Sequence, residues 1–305
     1  MDGRAIGIAA ALGSAVSWAL GAILFKKIGE SMSPLAMTLA KALVSVVLLG
    51  VTLFFMGFKA VTPENLRMLV LSGLIGIAVG DTLFFAALQH LGPQTLVVLM
   101  MAGQVLTALL ALIFLGERPS AHAWAGIASV VAGVTVVLWA NLSGERQPSR
   151  ARGIVLGLLS VLCMAVSLIL AKKGLVEKVL VDPAAAKEKM QETLQGTCVR
   201  VLAGAVGIAL YGLVTGNLRR WFAEGRDARL AGSFVFSVFV VTFGGFWLSL
   251  LAIRHVDVAI ANTLGSMEPV FVLPLAAIFL KEKIRPMAIL GTFIAVAGVV
   301  VLCNA

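Results

Sequence analysis

The chain has 305 residues, of which 60% are hydrophobic and 13% are charged, whereas a soluble domain carries about 25% charged residues. This composition excludes an ordinary water-soluble domain and indicates a protein embedded in lipid. The net charge of +9 lies mostly in short segments between apolar blocks, so no contiguous basic face is available for nucleic acid. Contact with anionic membrane lipids explains the positive charge more simply.

Ten apolar blocks follow one another along the chain, each long enough to cross a bilayer as a helix of about 20 residues. The first block could pass for a signal peptide, but its counterpart recurs at 153–172, so we expect a retained helix. A charged segment at 177–192 is expected to form a surface helix. The predicted spans are 5–25, 34–56, 66–89, 94–115, 121–140, 151–172, 194–215, 230–253, 258–280 and 284–303.

The second half of the chain repeats the first. The sequence ALIFLGE at 111–117 returns as AAIFLKE at 276–282, an offset of 165, and 22–27 resembles 168–173 at an offset of 146. Five spans per half is an odd number, so the second half enters the membrane from the opposite face. The sequence therefore predicts an all-α integral membrane protein with ten transmembrane helices, arranged as two inverted five-helix repeats around a central cavity. The repeats are 1–140 and 153–305, with a linker at 141–152.

Glycines mark the places where helices are expected to pack closely. Gly126 and Gly133 recur as Gly291 and Gly298. Inside lipid, helices associate where small residues let their backbones approach. We therefore expect the fifth and tenth spans to use these glycines for packing.

Glu268 is the strongest candidate for a functional residue, because an ionisable side chain in mid-span is costly and is functional by default. Pro269 follows it, so the carbonyl of Gly265 loses its helical partner, and Pro274 adds a second kink. Opened helices of this kind hold ions or substrate amines in transporters, and Asn262 could line the same wall. The alternative is a protonated acid that pairs two helices.

Three further charged residues lie inside spans: Lys41, Asp81 and Arg200. Asp81 occupies a position that is Phe246 in the second repeat, so it belongs to one half only; it could contact substrate or a coupling ion, or form a salt bridge with Lys41. Lys41 and Arg200 occupy equivalent positions. They could flank the cavity and bind a carboxylate or phosphate, or they could extend toward the membrane surface.

Trp18 and Trp247 also lie inside spans rather than at the membrane interface, where tryptophan is usually enriched. Either could stack on a substrate, although packing between helices explains them as well.

Sequence motifs of enzymes and pumps are missing. The chain contains no GxxxxGK[ST], HExxH or GxSxG, and Cys163, Cys198 and Cys303 have no metal-ligand spacing. We therefore expect no catalytic residues, no metal and no cofactor. The driving force for any transport would be an ion gradient or the gradient of the substrate itself.

The motifs around Glu268 resemble those of a known family. In the second half the motif begins with Ser266-x-Glu268-Pro269-Val270 and continues with 278–282, Gly291 and Ala297-Gly298. In the first half the corresponding residues are 113–118, Gly126 and Ala132-Gly133. This pattern, across essentially the whole chain, resembles the EamA-type transporters of the drug/metabolite transporter superfamily.

The resemblance implies an inner or plasma membrane location with both termini cytoplasmic; Lys and Arg are divided almost evenly between the two sides, so the charge bias gives no orientation. Gly103-Gln104 stand where the first half would carry Glu-Pro, so the fourth span is expected to be straighter than the ninth.

These observations favour a secondary transporter, most simply an exporter of an amino acid or a related zwitterion or anion, with Glu268 or Asp81 coupling transport to protons. Its expected partners are the small-molecule substrate, protons and membrane lipids, with the chain acting as a monomer or weak homodimer. The alternatives are an anionic-lipid flippase or lipid-handling protein, in which Lys41 and Arg200 meet the headgroup, and a structural membrane subunit.

Overall fold

A computed structural model shows a helical protein with no strand among its described residues. Proline or a polar cap starts several of the helices, as expected where the first backbone N–H groups lack partners. For example, the Ser33 hydroxyl accepts a bond from the Ala36 amide and Thr62 does the same for Asn65. The described residues are 3–58, 61–103, 105–106, 109–110, 120–142, 148–174, 183–224, 227–255, 264–265, 267–281 and 284–303.

In the first half, six α-helices have bounds within the described residues. The third span is composite, because α3 and α4 are joined by a π-helical stretch, Leu74–Asp81. α5 begins the fourth span, whose later residues are described only in part. The helices are α1 (Gly3–Ile28), α2 (Pro34–Met56), α3 (Pro63–Gly73), α4 (Thr82–Leu91), α5 (Pro93–Met100) and α6 (Ala121–Leu142).

The second half has the same plan with one added short helix, α9. Its eighth span is also composite, with a π-helical stretch at Val240–Trp247. The helices are α7 (Pro148–Gly174), α8 (Pro183–Val214), α9 (Leu218–Glu224), α10 (Ala228–Phe239), α11 (Leu248–His255), α12 (Glu268–Phe279) and α13 (Pro286–Cys303).

Two segments differ in detail from the sequence expectation. Residues 183–192 are helical, but they continue directly into the seventh span as part of the 32-residue α8 rather than forming a separate surface helix. Helix ends also enter the segment expected as a linker, since α6 ends at Leu142 and α7 begins at Pro148.

Length and apolar composition identify the membrane spans. Five helical segments are long and apolar enough to cross a bilayer: Ala5–Ile28, Pro34–Met56, Pro63–Leu91, Ser149–Ala171 and Leu194–Val214. Shorter apolar helices occupy the fifth, eighth, ninth and tenth predicted spans, and α5 begins the fourth. The fold is therefore an all-α bundle of ten spans in two repeats.

The two halves are interlocked, because the first helix of each packs on the third span of the other. α1 contacts α10, α11 and the π-helical stretch between them, while α7 contacts α3, α4 and the π-helical stretch of the first half. α2 pairs with α8, and α6 pairs with α13. Exchanging the halves reproduces this set of contacts, as expected for repeats related by a two-fold axis.

Two hydrogen bonds show this symmetry at the level of single atoms. The Ser14 hydroxyl donates to the carbonyl oxygen of Gly245 at 2.6 Å, and the Ser160 hydroxyl donates to that of Gly80 at 2.9 Å. The two serines are 146 positions apart and the two glycines 165 apart, which are the two offsets of the sequence repeat. The duplication visible in the sequence is therefore also present in the interface between the halves.

The recurring glycines pack as expected. A Cβ atom added to Gly133 would lie 2.6 Å from the carbonyl oxygen of Gly291, and one on Gly298 would lie 2.8 Å from that of Gly126. α6 and α13 therefore touch backbone to backbone.

We predict that Gly133→Ala lowers the stability of the folded protein by about 1–3 kcal/mol, since overpacking forces the two backbones apart. Gly50→Ala is the matched control, because a Cβ there would meet nothing within 4 Å. The measurement is the thermal unfolding midpoint in detergent; equal midpoints for the two variants would contradict the close packing.

Candidate functional site

A cavity of about 840 Å³ lies at the interface of the two halves. Helices from both repeats supply its walls, so neither half could form it alone. Its lining is mostly apolar and includes four charged residues. Residues on the wall include Trp18, Phe25, Lys41, Thr52, Met56, Gly76, Asp81, Phe85, Met164, Ser167, Leu194, Thr197, Arg200, Thr242 and Glu268.

Lys41 and Asp81 form an ion pair on the cavity wall. The Lys41 Nζ lies 2.8 Å from the Asp81 Oδ2 and 5.7 Å from the centre of the Phe85 ring. The Asp81 side chain is 10% exposed and that of Lys41 is 28% exposed. Of the two alternatives for Asp81, the structure has the salt bridge with Lys41.

Asp81 is placed by the first π-helical stretch, of which it is the last residue. Thr82 follows, and its hydroxyl lies 3.0 Å from that of Thr38 on α2. The third span is thus joined to α2 by a hydrogen bond next to the ion pair.

Arg200 reaches the same cavity from α8. Its Nη2 donates to the Ser167 hydroxyl at 3.2 Å. Its Nε is buried and has no hydrogen-bond partner among the described residues. Arg200 therefore points into the protein, and the expected alternative of reaching the membrane surface does not apply.

Glu268 is the first residue of α12 and lines the cavity half-buried. The chain turns at Met267, whose amide bonds back to the Leu264 carbonyl at 3.2 Å, and Pro269 cannot donate a hydrogen bond to Gly265. The helix break that the sequence indicated at Glu268-Pro269 is thus present. Pro274 lies inside α12.

The fourth span also contains a turn, and the expectation that it is straighter than the ninth span stays a prediction. α5 ends at Met100, and the Met101 amide bonds to the Val98 carbonyl at 3.1 Å in a tight turn before helical geometry resumes. This break lies close to the repeat position of Met267. A shared break without a shared proline indicates that packing against α1 and α7, rather than proline alone, holds the chain there.

The structure thus brings Glu268, Asp81, Lys41, Arg200 and Trp18 together around one cavity. A Cβ on Gly245 would lie 2.8 Å from the Trp18 ring, so this tryptophan packs on the opposite half while it faces the cavity. Asn262 and the side chain of Trp247 lie outside the residues that the structure describes.

Sequence reasoning missed several cavity residues, among them Phe25, Phe85, Ser167 and Thr242. Both π-helical stretches contribute to the wall, and π-turns are frequent at functional sites. Each stretch contains two glycines, which was the available signal. Among the described residues, no three His, Cys, Asp or Glu side chains group together to bind a metal.

One end of the cavity is closed by aromatic rings. We call the membrane side where α1 ends and α2 begins the far face, and the opposite side the near face. Toward the far face the Phe25 ring meets those of Phe85 and Phe234 at centroid distances of 5.2 and 5.7 Å. All three rings are at least 95% buried. We call this cluster the far-face seal.

Hydrogen bonds outside the far-face seal hold it shut. Lys26 Nζ donates to the carbonyl oxygens of Leu88 at 3.0 Å and Gln89 at 2.6 Å. The side-chain Nε2 of Gln89 donates to the carbonyl oxygens of Gly29 and Met32, both at 3.0 Å. These bonds join the ends of α1 and α4.

The described wall of the cavity differs toward the near face. It is formed there by Thr52 and Met56 at the end of α2 and by Leu194 on α8, none of which is buried. Leu168 on α7 is 51% exposed. Among the described residues, the cavity is therefore closed by a buried aromatic cluster at the far face, and its described near-face wall has no equivalent cluster.

A duplicated helical bundle in the membrane, with charged side chains and helices of both halves around one central cavity, is the architecture of a membrane transporter. The sequence pattern of the EamA-like transporter family matches residues 5–139 and 151–304. The chain belongs to this family of the drug/metabolite transporter superfamily, whose members are transporters rather than enzymes. It is a multi-pass membrane protein.

Solved structures agree on the fold. Twenty chains of known structure match significantly. One crystal structure, described only as that of a protein, aligns over 98% of this chain and 97% of its own with a TM-score of 0.57 and 17% identity; at that identity the likeness concerns the fold alone. No curated protein sequence matches significantly.

We predict strong energetic coupling between Lys41 and Asp81. Removing one partner leaves the other charge buried without compensation, so a double-mutant cycle of Lys41→Met and Asp81→Asn should give a coupling free energy of about 2 kcal/mol. The comparison is the pair Arg220 and Glu224, 3.4 Å apart, in which the arginine is 74% exposed; we expect a coupling free energy of at most about 0.5 kcal/mol there. Similar values for both pairs would contradict a buried ion pair.

We also predict one-sided access to the cavity. In a variant whose three cysteines are replaced by serine, Thr52→Cys should react with a membrane-impermeant maleimide added at the near face. Leu88→Cys, buried behind the far-face seal at 1% exposure, should stay unlabelled from either face. Faster labelling of Leu88→Cys than of Thr52→Cys would show that the far face is open.

Proposed function

We propose that this protein is a secondary transporter that moves a small organic metabolite, such as an amino acid or a related zwitterion or anion, by alternating access. The observation that carries the proposal is the cavity itself: described residues of both halves line it, four of them are charged, and buried aromatic rings close it at the far face. An inverted repeat supports alternating access, because exchanging the conformations of the two halves exchanges the open and closed faces.

The proposed transport direction is export. The family resemblance implies that both termini are cytoplasmic in an inner or plasma membrane, and the near face would then be cytoplasmic. In this proposal the cavity loads from the cytoplasm and releases after the far-face seal parts. Described residues of a single chain line the cavity, so we propose that a monomer is sufficient and that any homodimer is weak.

Glu268 and Asp81 are the proposed proton-coupling groups. The other ionisable residues on the cavity wall are Lys41 and Arg200. Of the elements packed on α12, α1 carries further charges: Arg4 at its start and Lys26 and Lys27 at its end. Lys26 bonds to the Leu88 and Gln89 carbonyls, and Lys27 lies over the Phe279 ring at 5.6 Å, at the opposite end of α12 from Glu268. Glu268 therefore has no fixed partner charge close by among the described residues, which suits a group that gains and loses a proton during the cycle.

Asp81 has a different proposed role. When it accepts a proton, its attraction to Lys41 is lost, since ion pairing requires the charged form. Protonation would thereby separate the third span from α2 and loosen the far half of the cavity wall. Glu268 would carry the proton, and Asp81 would couple its arrival to movement.

We predict that Glu268→Gln and Asp81→Asn each lower uptake driven by an imposed pH gradient by about tenfold or more, the range general for loss of one proton-transfer group. Liposomes containing purified protein would be assayed with a panel of radiolabelled amino acids and organic anions. Glu64→Gln, at an exposed position at the start of α3, is the matched control and should behave as wild type.

If both variants keep wild-type, gradient-driven uptake, proton coupling is wrong. Facilitated exchange without protons would then be the remaining form of transport.

Handling of an anionic lipid is a second candidate, and one observation favours it. Between α2 and α8 the wall is apolar, with Leu48, Leu49 and Val201 on it, and it leads to Lys41 and Arg200. A lipid could place its headgroup at these cations and its chains along this wall. A fluorescent phosphatidylglycerol that becomes accessible to dithionite faster in proteoliposomes than in protein-free liposomes would support this function; equal rates would exclude it.

A further inference from the structure

We propose that Arg200 forms an oxyanion-binding subsite within the cavity and that the transported solute therefore carries a carboxylate or a phosphate. That the ligand is a transported solute rests on the proposed transport function. The binding site itself is inferred from the geometry around Arg200. Ser167 serves as the positioning residue.

The guanidinium group of Arg200 is held in one orientation. Its Nη2 donates to the Ser167 hydroxyl at 3.2 Å. The Ser167 hydroxyl in turn donates to the carbonyl oxygen of Ser72 at 2.7 Å, and the Ser72 hydroxyl donates to that of Ser167 at 2.7 Å. The hydrogen bonds of this serine pair are satisfied within the protein, so Ser167 fixes the arginine rather than binding a solute.

The Arg200 Nε is left without a partner. A guanidinium has five N–H donors in a planar fork, and buried donors are nearly always satisfied in folded proteins. Here the Nε is buried and unbonded among the described residues, while the side chain lines the cavity. The Nε has less than 1 Å² exposed, so an oxyanion in the cavity that Arg200 lines would bond to it after a small shift of the guanidinium group.

Glycines on the third span make room for this arrangement. A Cβ on Gly73 would lie 2.8 Å from Cα of Arg200, and one on Gly76 would lie 2.6 Å from Cβ of Ser167 and 3.9 Å from the Arg200 Nη2. Larger residues at either position would push α7 or α8 away. The close approach of three helices at Arg200 is thus specified by the sequence.

The balance of charge also favours an anion. Asp81 is the carboxylate near enough to attract Arg200, but its Oδ2 is engaged by Lys41 at 2.8 Å. Lys41, Asp81 and Arg200 together leave one positive charge in the cavity. Burying an uncompensated charge is costly, and a carboxylate or phosphate would remove that cost through paired N–H···O bonds.

The net charge of the cavity also depends on whether Glu268 is protonated. With Glu268 protonated, the cavity holds one net positive charge and suits an anion. With Glu268 ionised, the cavity is neutral and suits a zwitterion, whose oxyanion would bind Arg200 and whose ammonium would face Glu268. In both cases the oxyanion is required.

Binding to the purified full-length protein tests the site. In nanodiscs of pure phosphatidylcholine, succinate and inorganic phosphate should each raise the unfolding temperature relative to chloride at equal ionic strength, because ligands stabilise the folded form. Arg200→Gln should weaken the apparent affinity by about tenfold or more, the effect of losing a charge-assisted hydrogen bond. Arg67→Gln, on the exposed side of α3, is the matched control.

Arg200→Lys separates charge from geometry, since lysine keeps the charge but lacks the planar fork; we expect it to recover only part of the affinity. If Arg200→Gln does not fold, the wild-type protein serves instead: phosphate should protect Arg200, but not Arg67, from phenylglyoxal. Equal oxyanion affinity in Arg200→Gln, or equal modification of Arg200 with and without phosphate, would overturn the subsite.

Two further measurements are needed. The first distinguishes a soluble oxyanion from a lipid headgroup, and the second distinguishes failure of the subsite from failure of the transport proposal. Adding phosphatidylglycerol to the nanodiscs should leave succinate binding unchanged if the ligand is a soluble solute, and should compete with it if the site takes a lipid headgroup. Solute exchange in liposomes then distinguishes the claims. If the protein transports solutes that lack an oxyanion, and Arg200→Gln transports them at the same rate, only the subsite is overturned. If the protein binds oxyanions but exchanges no solute, only the transport proposal is overturned.

Discussion

Each half of this protein depends on the other for the burial of its first helix. Ser14 on α1 bonds to the Gly245 carbonyl and Ser160 on α7 bonds to the Gly80 carbonyl, so the two halves hold each other through equivalent contacts. A helix in lipid gains nothing from hydrophobic burial against another helix, and small residues and hydrogen bonds must supply the association. The cavity lies between these interlocked pairs, which is why residues from both repeats line it.

Four charged side chains determine the electrostatic properties of the cavity. Lys41 and Asp81 neutralise each other, Arg200 is fixed by a serine pair, and Glu268 begins a helix at a break in the ninth span. The third span, which carries Asp81, meets α7 and α8 through glycines, so the position of Arg200 relative to Asp81 depends on backbone packing. A change in helix position therefore changes which charges are paired, and a change in charge favours a different helix position. Such mutual dependence is what coupling between ligand and conformation requires.

Much of the fold could be predicted from the sequence, because hydrophobic length and the 165-residue repeat constrain a membrane protein strongly. Charged residues in spans were also informative. A charge is costly in contact with lipid, so such residues face the interior of the bundle. The charged residues that line the one cavity are Lys41, Asp81, Arg200 and Glu268. The π-helical stretches, the turn at Met101 and the far-face seal could not be predicted. They depend on packing between helices distant in the chain, and a Phe that seals a cavity is indistinguishable in sequence from one that faces lipid.

The far-face seal is not repeated by the duplication. Phe25 corresponds to Ala171, and Phe85 and Phe234 correspond to Leu250 and Leu69, at the two repeat offsets. Aromatic pairs contribute about 0.5–1.5 kcal/mol beyond the area that they bury, and the aliphatic residues at the equivalent positions lack this contribution. The backbone duplication is thus nearly symmetric, whereas the side chains that close the far face are not duplicated.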